Sequence, residues 1–239
     1  MKNIFTLLFV VVAFQFQGQT KLGLSLSGGI SDVSSNDQRV SYPAITDIQS
    51  EFGYTIGLDI EVPLNQRWYF TSRLDWQTYG FSEKLNTELV DLNNDILEFF
   101  CNIPENVPEG IAPVKHRFGF LQIPIMANFI FNEGCEECGW QWFLGLGPTF
   151  NLSLNHAIKT PLIDGDSYQN VDCLVRQSVI VGLQAEIGTT YQFPNNPNQL
   201  RFTLFYNGHF QSLYEHPLNY NLGMGGLRVA YLFALAANK

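Results

Sequence analysis

Apolar and polar residues alternate along most of this chain, and residues 52–81 show the alternation most clearly. Apolar side chains occupy most alternate positions between residues 54 and 62 and again between residues 68 and 76. Because successive side chains of a β-strand point to opposite faces, a period of two predicts two strands, and the turn formers at 63–66 predict a hairpin. One face of this hairpin is apolar and the other is polar and charged.

Similar segments recur along the chain and predict the fold class. We predict eight strands, at residues 20–31, 52–62, 67–81, 117–131, 140–155, 174–193, 200–212 and 220–233. Short connectors at 63–66, 132–139 and 194–199 alternate with longer ones. An even strand number, with short periplasmic turns at one end and longer loops at the other, is typical of an outer-membrane barrel. The pattern therefore predicts an all-β, eight-stranded antiparallel up-and-down transmembrane β-barrel.

The N-terminal residues predict export. Residues 1–19 resemble a secretory signal peptide, with a basic Lys2 and an apolar stretch at 4–14 that is too short to span a bilayer. The mature barrel domain would then be residues 20–239. No later segment reaches the roughly 18 unbroken apolar residues of a transmembrane helix. We therefore expect an exported protein that is not a helical membrane protein.

Composition argues against nucleic-acid binding and against a surface covered by water. The formal net charge is -9, whereas nucleic-acid binding needs a basic surface. Charged residues make up 15% of the chain, against about 25% in an ordinary soluble domain.

Alternation alone leaves open which face of the barrel is inside. A secreted lipocalin-like barrel would point its apolar face inward and bind a small hydrophobic ligand there. Glycine is frequent on the polar face, which suits a crowded interior. Lysine usually covers the water-facing side of soluble strands, but we place all the lysines after residue 21 in loops or the tail. They are Lys84, Lys115, Lys159 and Lys239. Aromatic residues gather at both strand ends, as two lipid interfaces select. They are Trp68, Tyr69, Trp140, Trp142, Tyr191 and Phe193 at the turn end, and Trp76, Tyr79, Phe81, Phe210, Tyr214 and Tyr220 at the loop end. These observations favour the membrane barrel.

On this interpretation the barrel interior holds four acidic and four basic side chains. They are Asp59, Glu61, Asp75, Glu186, Arg73, Arg176, Arg201 and Arg228. An eight-stranded barrel is just wide enough for its side chains to fill, so these charges must pair or be hydrated. We interpret them as a structural ion-pair network, and a gated path for protons or ions is the alternative.

Two prolines stand inside predicted strands, where a proline normally signals a bulge or an edge. They belong to a Leu-x-Ile-Pro motif within residues 118–131 and a Gly-x-Gly-Pro motif within residues 142–152. The motif residues are Leu121, Ile123, Pro124, Gly145, Gly147 and Pro148. This pair of strands resembles the PorT-like outer-membrane β-barrel family. The resemblance implies an eight-stranded outer-membrane barrel that tolerates both prolines, and most members have no defined activity. The tail after Phe233 departs from the aromatic end of many such barrels.

Four cysteines in an exported chain suggest disulfides. The predicted topology puts Cys135 and Cys138 in a periplasmic turn, and Cys101 and Cys173 at the extracellular end. A membrane-spanning strand separates the two pairs, so bridges between them are excluded by distance. We expect Cys135–Cys138 and Cys101–Cys173, and a redox-active or zinc-binding Cys135-x-x-Cys138 is the alternative.

Residues 86–100 change to a helical period, with acidic residues opposite one apolar face. The apolar residues are Leu85, Leu89, Leu92, Ile96, Phe99 and Phe100. We expect one helical extracellular loop, which either packs on the barrel rim or docks a protein partner within loop 82–116.

Candidate chemistry is sparse. Ser153 and His156, with Asp164 or Asp166 beyond them, suggest a rim hydrolase, and the two aspartates suggest a divalent-cation site. No recognisable motif surrounds these residues, so we expect no enzyme activity, no catalytic, metal or cofactor-binding residue and no cofactor.

The sequence thus predicts a monomeric integral barrel in the Gram-negative outer membrane, surrounded by lipid, with a structural or surface-binding role through its extracellular loops. The alternatives are the secreted lipocalin-like barrel and an outer-membrane barrel enzyme that acts on lipid or peptide.

Overall fold

A computed structural model describes residues 20–35, 45–86, 110–131, 139–159, 169–170, 177–194, 196–212 and 220–235. Its strands are β1 (Lys21–Ser35), β2 (Ile45–Pro63), β3 (Trp68–Asn86), β4 (Ile111–Ile130), β5 (Trp140–Lys159), β6 (Gln169–Asn170), β7 (Val179–Gln192), β8 (Gln199–His209) and β9 (Tyr220–Ala234). Among these residues there is no helix that is long and apolar enough to cross a membrane.

The eight long strands form one closed antiparallel barrel in which strands adjacent in the chain are paired. β1 closes the barrel by pairing with β9, from Lys21 opposite Ala234 to Ser35 opposite Tyr220. The short β6 pairs with the end of β5. The predicted eight-stranded up-and-down barrel is confirmed. The predicted helix at 86–100 lies outside the described residues, except for Asn86, which ends β3.

The apolar face of the barrel points outward. On β2 the side chains of Ile56 and Leu58 are 50% and 54% exposed, whereas Asp59 is 4% exposed. β1 alternates in the same way, with Leu24 exposed and Ser25 buried. A soluble barrel has the reverse arrangement, so the lipocalin-like alternative is wrong. An outward apolar surface around a polar interior is the arrangement that a lipid solvent requires.

The outward apolar band covers only part of the strands. On β3 the apolar outward positions lie between residues 68 and 76, and on β4 they lie between residues 121 and 129. Nine residues is the length that a tilted strand needs to cross a bilayer. β3 continues to Asn86, which is about 30 Å farther along the strand at roughly 3.3 Å per residue. The strands therefore form a wall above the lipid at the loop end.

In this upper wall the polarity of the two faces is inverted. Outward-facing Lys84 pairs with Asp47 (Nζ to Oδ2, 3.0 Å) and outward-facing Lys115 pairs with Glu51 (Nζ to Oε1, 3.1 Å). The inward side chains include buried apolar ones, with the buried polar side chains of Glu83, His116 and His156 among them; the apolar ones include Phe81, Val114, Phe118, Ile158 and Leu222. Above the membrane the barrel is thus built like a soluble one.

The observed strand lengths correct the predicted position of three lysines. Lys84, Lys115 and Lys159 lie in β3, β4 and β5 rather than in loops, because these strands extend beyond the predicted ends.

The aromatic belts also need revision. Tyr69, Tyr79 and Phe81 are buried inside the barrel, because odd-numbered residues of β3 face inward. The predicted outward positions hold for the exposed Trp68, Trp76, Trp140, Trp142 and Phe210, and Tyr191 and Phe193 are partly exposed. Tyr214 and the side chain of Tyr220 lie outside the described residues.

Neither strand proline breaks the barrel. Pro124 pairs with Thr149 and Ala127 pairs with Leu146 in the same register, so only the pairs between them are missing from the β4–β5 ladder. Pro148 keeps its place opposite Leu183 on β7. The usual expectation of a bulge or an edge at a strand proline is therefore wrong here.

Candidate functional site: the filled barrel interior

Two arginines and two carboxylates form an alternating ring across the middle of the barrel. Arg73 on β3 contacts Asp75 (Nε to Oδ2, 3.3 Å) and Glu186 on β7 (Nη1 to Oε2, 3.5 Å). Arg228 on β9 contacts the same Glu186 oxygen through Nη1 (3.4 Å) and Asp75 through Nη2 (3.9 Å). All four side chains are buried. This ring connects three strands and occupies the lumen.

A second charged layer lies nearer the turn end. Lys21 on β1 contacts Glu61 on β2 (Nζ to Oε1, 2.9 Å), and Arg201 on β8 pairs with the other Glu61 oxygen. The Arg201 guanidinium carbon stands 5.0 Å from the ring centroids of both Tyr69 and Phe143. Two aromatic faces and a carboxylate therefore hold one guanidinium in place.

The structure places seven of the eight predicted interior charges inside the barrel. Arg176 lies outside the described residues. Asp59 is buried without an ion pair to any residue that the structure describes. Lys21, which the sequence interpretation left out, supplies a fourth cation, so the four cations of the interior balance its four carboxylates when Asp59 is counted. Its position on the same face as Gly23 and Ser25 of β1 was the signal for it.

Glycines of the Gly-x-Gly-Pro motif make room for this network. A Cβ on Gly145 would stand 2.7 Å from Cγ of Glu186 and would also meet the side chain of Asn128. A Cβ on Gly147 would meet the backbone oxygen of Ile125 on β4. The motif therefore brings β5 close to β4 and admits the glutamate that bridges both arginines.

Uncharged polar groups fill the lumen above the ring. Asn207 donates from Nδ2 to the Tyr79 hydroxyl (2.8 Å), which also shares a hydrogen bond with Nε2 of His209 (3.3 Å). Thr149 donates from its hydroxyl to Oδ1 of Asn207 (3.2 Å). Gln122 donates from Nε2 to Oδ1 of Asn151 (2.8 Å). These buried side chains continue the plug from the charged layers toward the loop end.

A carboxylate and two imidazoles form a hydrogen-bonded chain inside the upper wall. Nε2 of His116 lies 3.0 Å from Oε1 of Glu83, and Nδ1 of His116 lies 3.1 Å from Nε2 of His156. Phe81 stacks on His116 at 4.5 Å and Phe118 stacks on His156 at 4.2 Å. With neutral rings, His116 donates to the Glu83 carboxylate and accepts from His156. Alternation alone did not predict this chain.

A β-bulge explains why His156 joins this chain. Gly119 pairs with Asn155 but Phe120 pairs with Ser153, so one extra residue stands in β5. The extra residue reverses the alternation, and His156 faces inward although the residues of β5 before the bulge predict the opposite. Ser153, the other half of the predicted hydrolase pair, pairs with Phe120 next to the extra residue, Leu154.

Several predicted site residues cannot be placed. Asp164 and Asp166 lie outside the described residues, as do the four cysteines Cys101, Cys135, Cys138 and Cys173. Within the described ranges no three histidine, cysteine, aspartate or glutamate side chains converge in a way that could hold a metal ion.

Known proteins agree with this architecture. Residues 15–212 match the family described as "Outer membrane protein beta-barrel domain". No curated protein sequence is significantly similar to the chain.

Many solved structures are similar at low sequence identity, and three of them serve as examples. Neisserial surface protein A has a TM-score of 0.44 at 14% identity, covering 87% of this chain and 95% of that one. OprG from Pseudomonas aeruginosa has a TM-score of 0.43 at 12% identity, covering 92% and 100%. Ail from Yersinia pestis, solved with the heparin analogue sucrose octasulfate, has a TM-score of 0.40 at 11% identity, covering 90% and 100%.

The family match covers most of the chain. It agrees with the closed antiparallel barrel, the outward apolar band and the polar, ion-paired interior. The chain therefore belongs to the outer membrane protein β-barrel domain family and is an integral barrel protein of the Gram-negative outer membrane, surrounded by its lipid.

Proposed function

We propose that this barrel is a rigid, monomeric and non-catalytic anchor that presents its extracellular loops to a protein partner. The upper wall carries this proposal. It lifts the ends of β3 and β4, at Asn86 and Ile111, well above the lipid band. A packed interior of aromatic rings around His116 and His156 makes the wall stiff.

The filled lumen supports an anchor more than a pore. The ring of Arg73, Asp75, Glu186 and Arg228 crosses the membrane-spanning part, and the Tyr79 cluster lies above it. Eight strands leave a lumen that side chains can fill completely. A gated ion path would need these ion pairs to open.

We propose that the partner binds at the predicted loop segment 82–116, whose two ends lie in β3 and β4. The outer surface of the wall next to this loop carries Lys84, Lys115 and Arg117, all of them exposed. The intervening residues 87–109 lie outside the described part and are acidic in sequence. We also propose the predicted amphipathic helix at 86–100 as the docking element. The two proline motifs support a PorT-like position within the family.

Site-specific crosslinking in intact cells tests this proposal. A photoreactive amino acid at Lys84 or Lys115 should yield a discrete protein adduct, because these side chains point outward above the lipid. The matched control is the same probe at Leu58, which faces lipid on β2. Adducts to lipid alone at all three positions would contradict a protein partner at this wall.

A further inference from the structure

A cavity of about 220 Å³ lies at the turn end of the barrel, on the opposite side of the membrane from the loops. It lies between the β2–β3 turn and the lower charged layer. Its lining includes Lys21, Glu61, Arg201, Tyr69, Phe143 and Gln66. At roughly 30 Å³ per water, this volume holds about seven water molecules or one small organic group.

The charged residues of the cavity have a net charge of +1. Lys21 and Arg201 share the single carboxylate of Glu61, each on a different oxygen. Both carboxylate oxygens are therefore occupied, while neither cation is fully matched. A cation entering the cavity would meet like charge, whereas an anion would complete the balance.

The side chains that line the cavity carry more hydrogen-bond donors than the neighbouring acceptors can bind. Arg201 donates from Nε to Thr190 (3.2 Å) and from Nη2 to Glu61, and within the described chain its Nη1 has no partner. The Lys21 ammonium donates only to Glu61 there. The Tyr69 hydroxyl is buried and makes no hydrogen bond to any described residue. A guanidinium has five N–H donors and an ammonium has three, so several donors remain for a ligand.

We propose that this cavity binds a small carboxylate from the periplasmic side. A planar guanidinium matches a carboxylate in geometry and charge. The rings of Tyr69 and Phe143 hold the guanidinium of Arg201 in a fixed position. The ligand is either a free organic acid or the C-terminal carboxylate of a peptide. This site is independent of the proposed loop partner.

Calorimetry with the full mature protein in lipid nanodiscs tests the proposal, at constant ionic strength set with chloride. Acetate should bind saturably with one site per barrel, and uncharged acetamide should not bind. N-acetyl-triglycine and its C-terminal amide distinguish the two sources. Tighter binding of the tripeptide than of acetate, lost in the amide, identifies a peptide terminus. Equal or tighter binding of acetate identifies a free acid.

Two substitutions locate the site. Tyr69→Phe removes one hydroxyl and should weaken carboxylate binding about tenfold, the effect of one hydrogen bond to a charged group. Lys21→Met removes the excess charge and should weaken binding at least as much. The control is Tyr231→Phe, which removes an outward-facing hydroxyl at the same end. A heat-modifiable gel shift shows that each variant is folded. Absence of saturable binding to the folded wild type, or unchanged binding in Tyr69→Phe, would overturn the proposal.

Discussion

The guanidinium of Arg73 reaches across the lumen to the carboxylate of Glu186, with 3.5 Å between Nη1 and Oε2. The two residues are 113 positions apart in the chain, on strands β3 and β7, which are not neighbours in the barrel. Arg228 shares the same Glu186 oxygen. One glutamate therefore links three strands through the interior, so removing its carboxylate should lower the unfolding free energy of the whole barrel.

Glu186→Ala should destabilise the barrel strongly. The buried guanidinium groups of Arg73 and Arg228 would lose their shared carboxylate, and removing one partner of a buried ion pair typically costs about 3–5 kcal/mol of unfolding free energy. Urea unfolding in detergent micelles measures the loss. The matched control is Glu51→Gln, which breaks the partly exposed pair with Lys115 and should cost at most about 1 kcal/mol. Equal losses in the two variants would contradict a structural role for the ring.

Arginine substitutions on the outer face should distinguish the lipid band from the upper wall. Leu58→Arg places a charge in the middle of the apolar band and should cost about 2–4 kcal/mol. Ser82→Arg places the same charge on the outward face above the band, where water solvates it, and should be nearly neutral. Reversible unfolding in lipid vesicles provides both values. A neutral Leu58→Arg would show that this face does not contact lipid.

Gly57→Ala should be destabilising although the side chain added is a single methyl group. Its Cβ would meet the Asp75 carboxylate and would stand 2.9 Å from Oγ of Ser25, so the charged ring would have to shift. Overpacking of this kind costs roughly 1–3 kcal/mol. Gly225→Ala is the control, because its nearest atom, Cδ2 of Tyr206, would be at an ordinary 3.5 Å. Urea midpoints that fall equally in both variants would contradict tight packing around Asp75.

The upper wall should show a titration shift at Asp47. Hydrogen bonds from Lys84 (3.0 Å) and Gln49 (2.8 Å) lower the pKa of this carboxyl from its ordinary value of 3.8. Any stabilisation from the contact is therefore present above the ordinary pKa and is lost as the pH falls through the lowered folded value. NMR titration should give a midpoint below 3.8, and Lys84→Met should raise it. A midpoint that Lys84→Met leaves unchanged would rule out the ion pair.

The period of two predicted much of this fold because it depends only on local geometry. It placed Asp59, Glu61, Arg73 and Asp75 on one face, and a closed barrel turns that face inward. The aromatic-belt prediction, by contrast, failed at Tyr79 and Phe81, which stand in phase with Arg73 and Asp75 and are buried inside the barrel. Above the membrane the outer solvent is water, so there charged residues such as Lys84 face outward and apolar residues such as Phe81 face inward.

The chain of Glu83, His116 and His156 shows what alternation cannot supply. These residues meet because β4 pairs with β3 and β5 in one particular register, with His116 opposite Phe81 and Ile158. Register is a property of strand pairs, and the bulge at Leu154 changes which face His156 occupies. Neither can be read from the spacing within one strand.

Spin-label accessibility along β3 measures most directly where the outer face of the barrel passes from lipid to water. Single labels at outward positions from residue 68 to residue 84, in lipid vesicles, are exposed to oxygen and to a water-soluble nickel complex. Labels at 68, 70, 74 and 76 should be reached by oxygen and protected from nickel, and labels at 82 and 84 should show the reverse. Nickel access along the whole outer face would contradict a barrel that spans the membrane in this way.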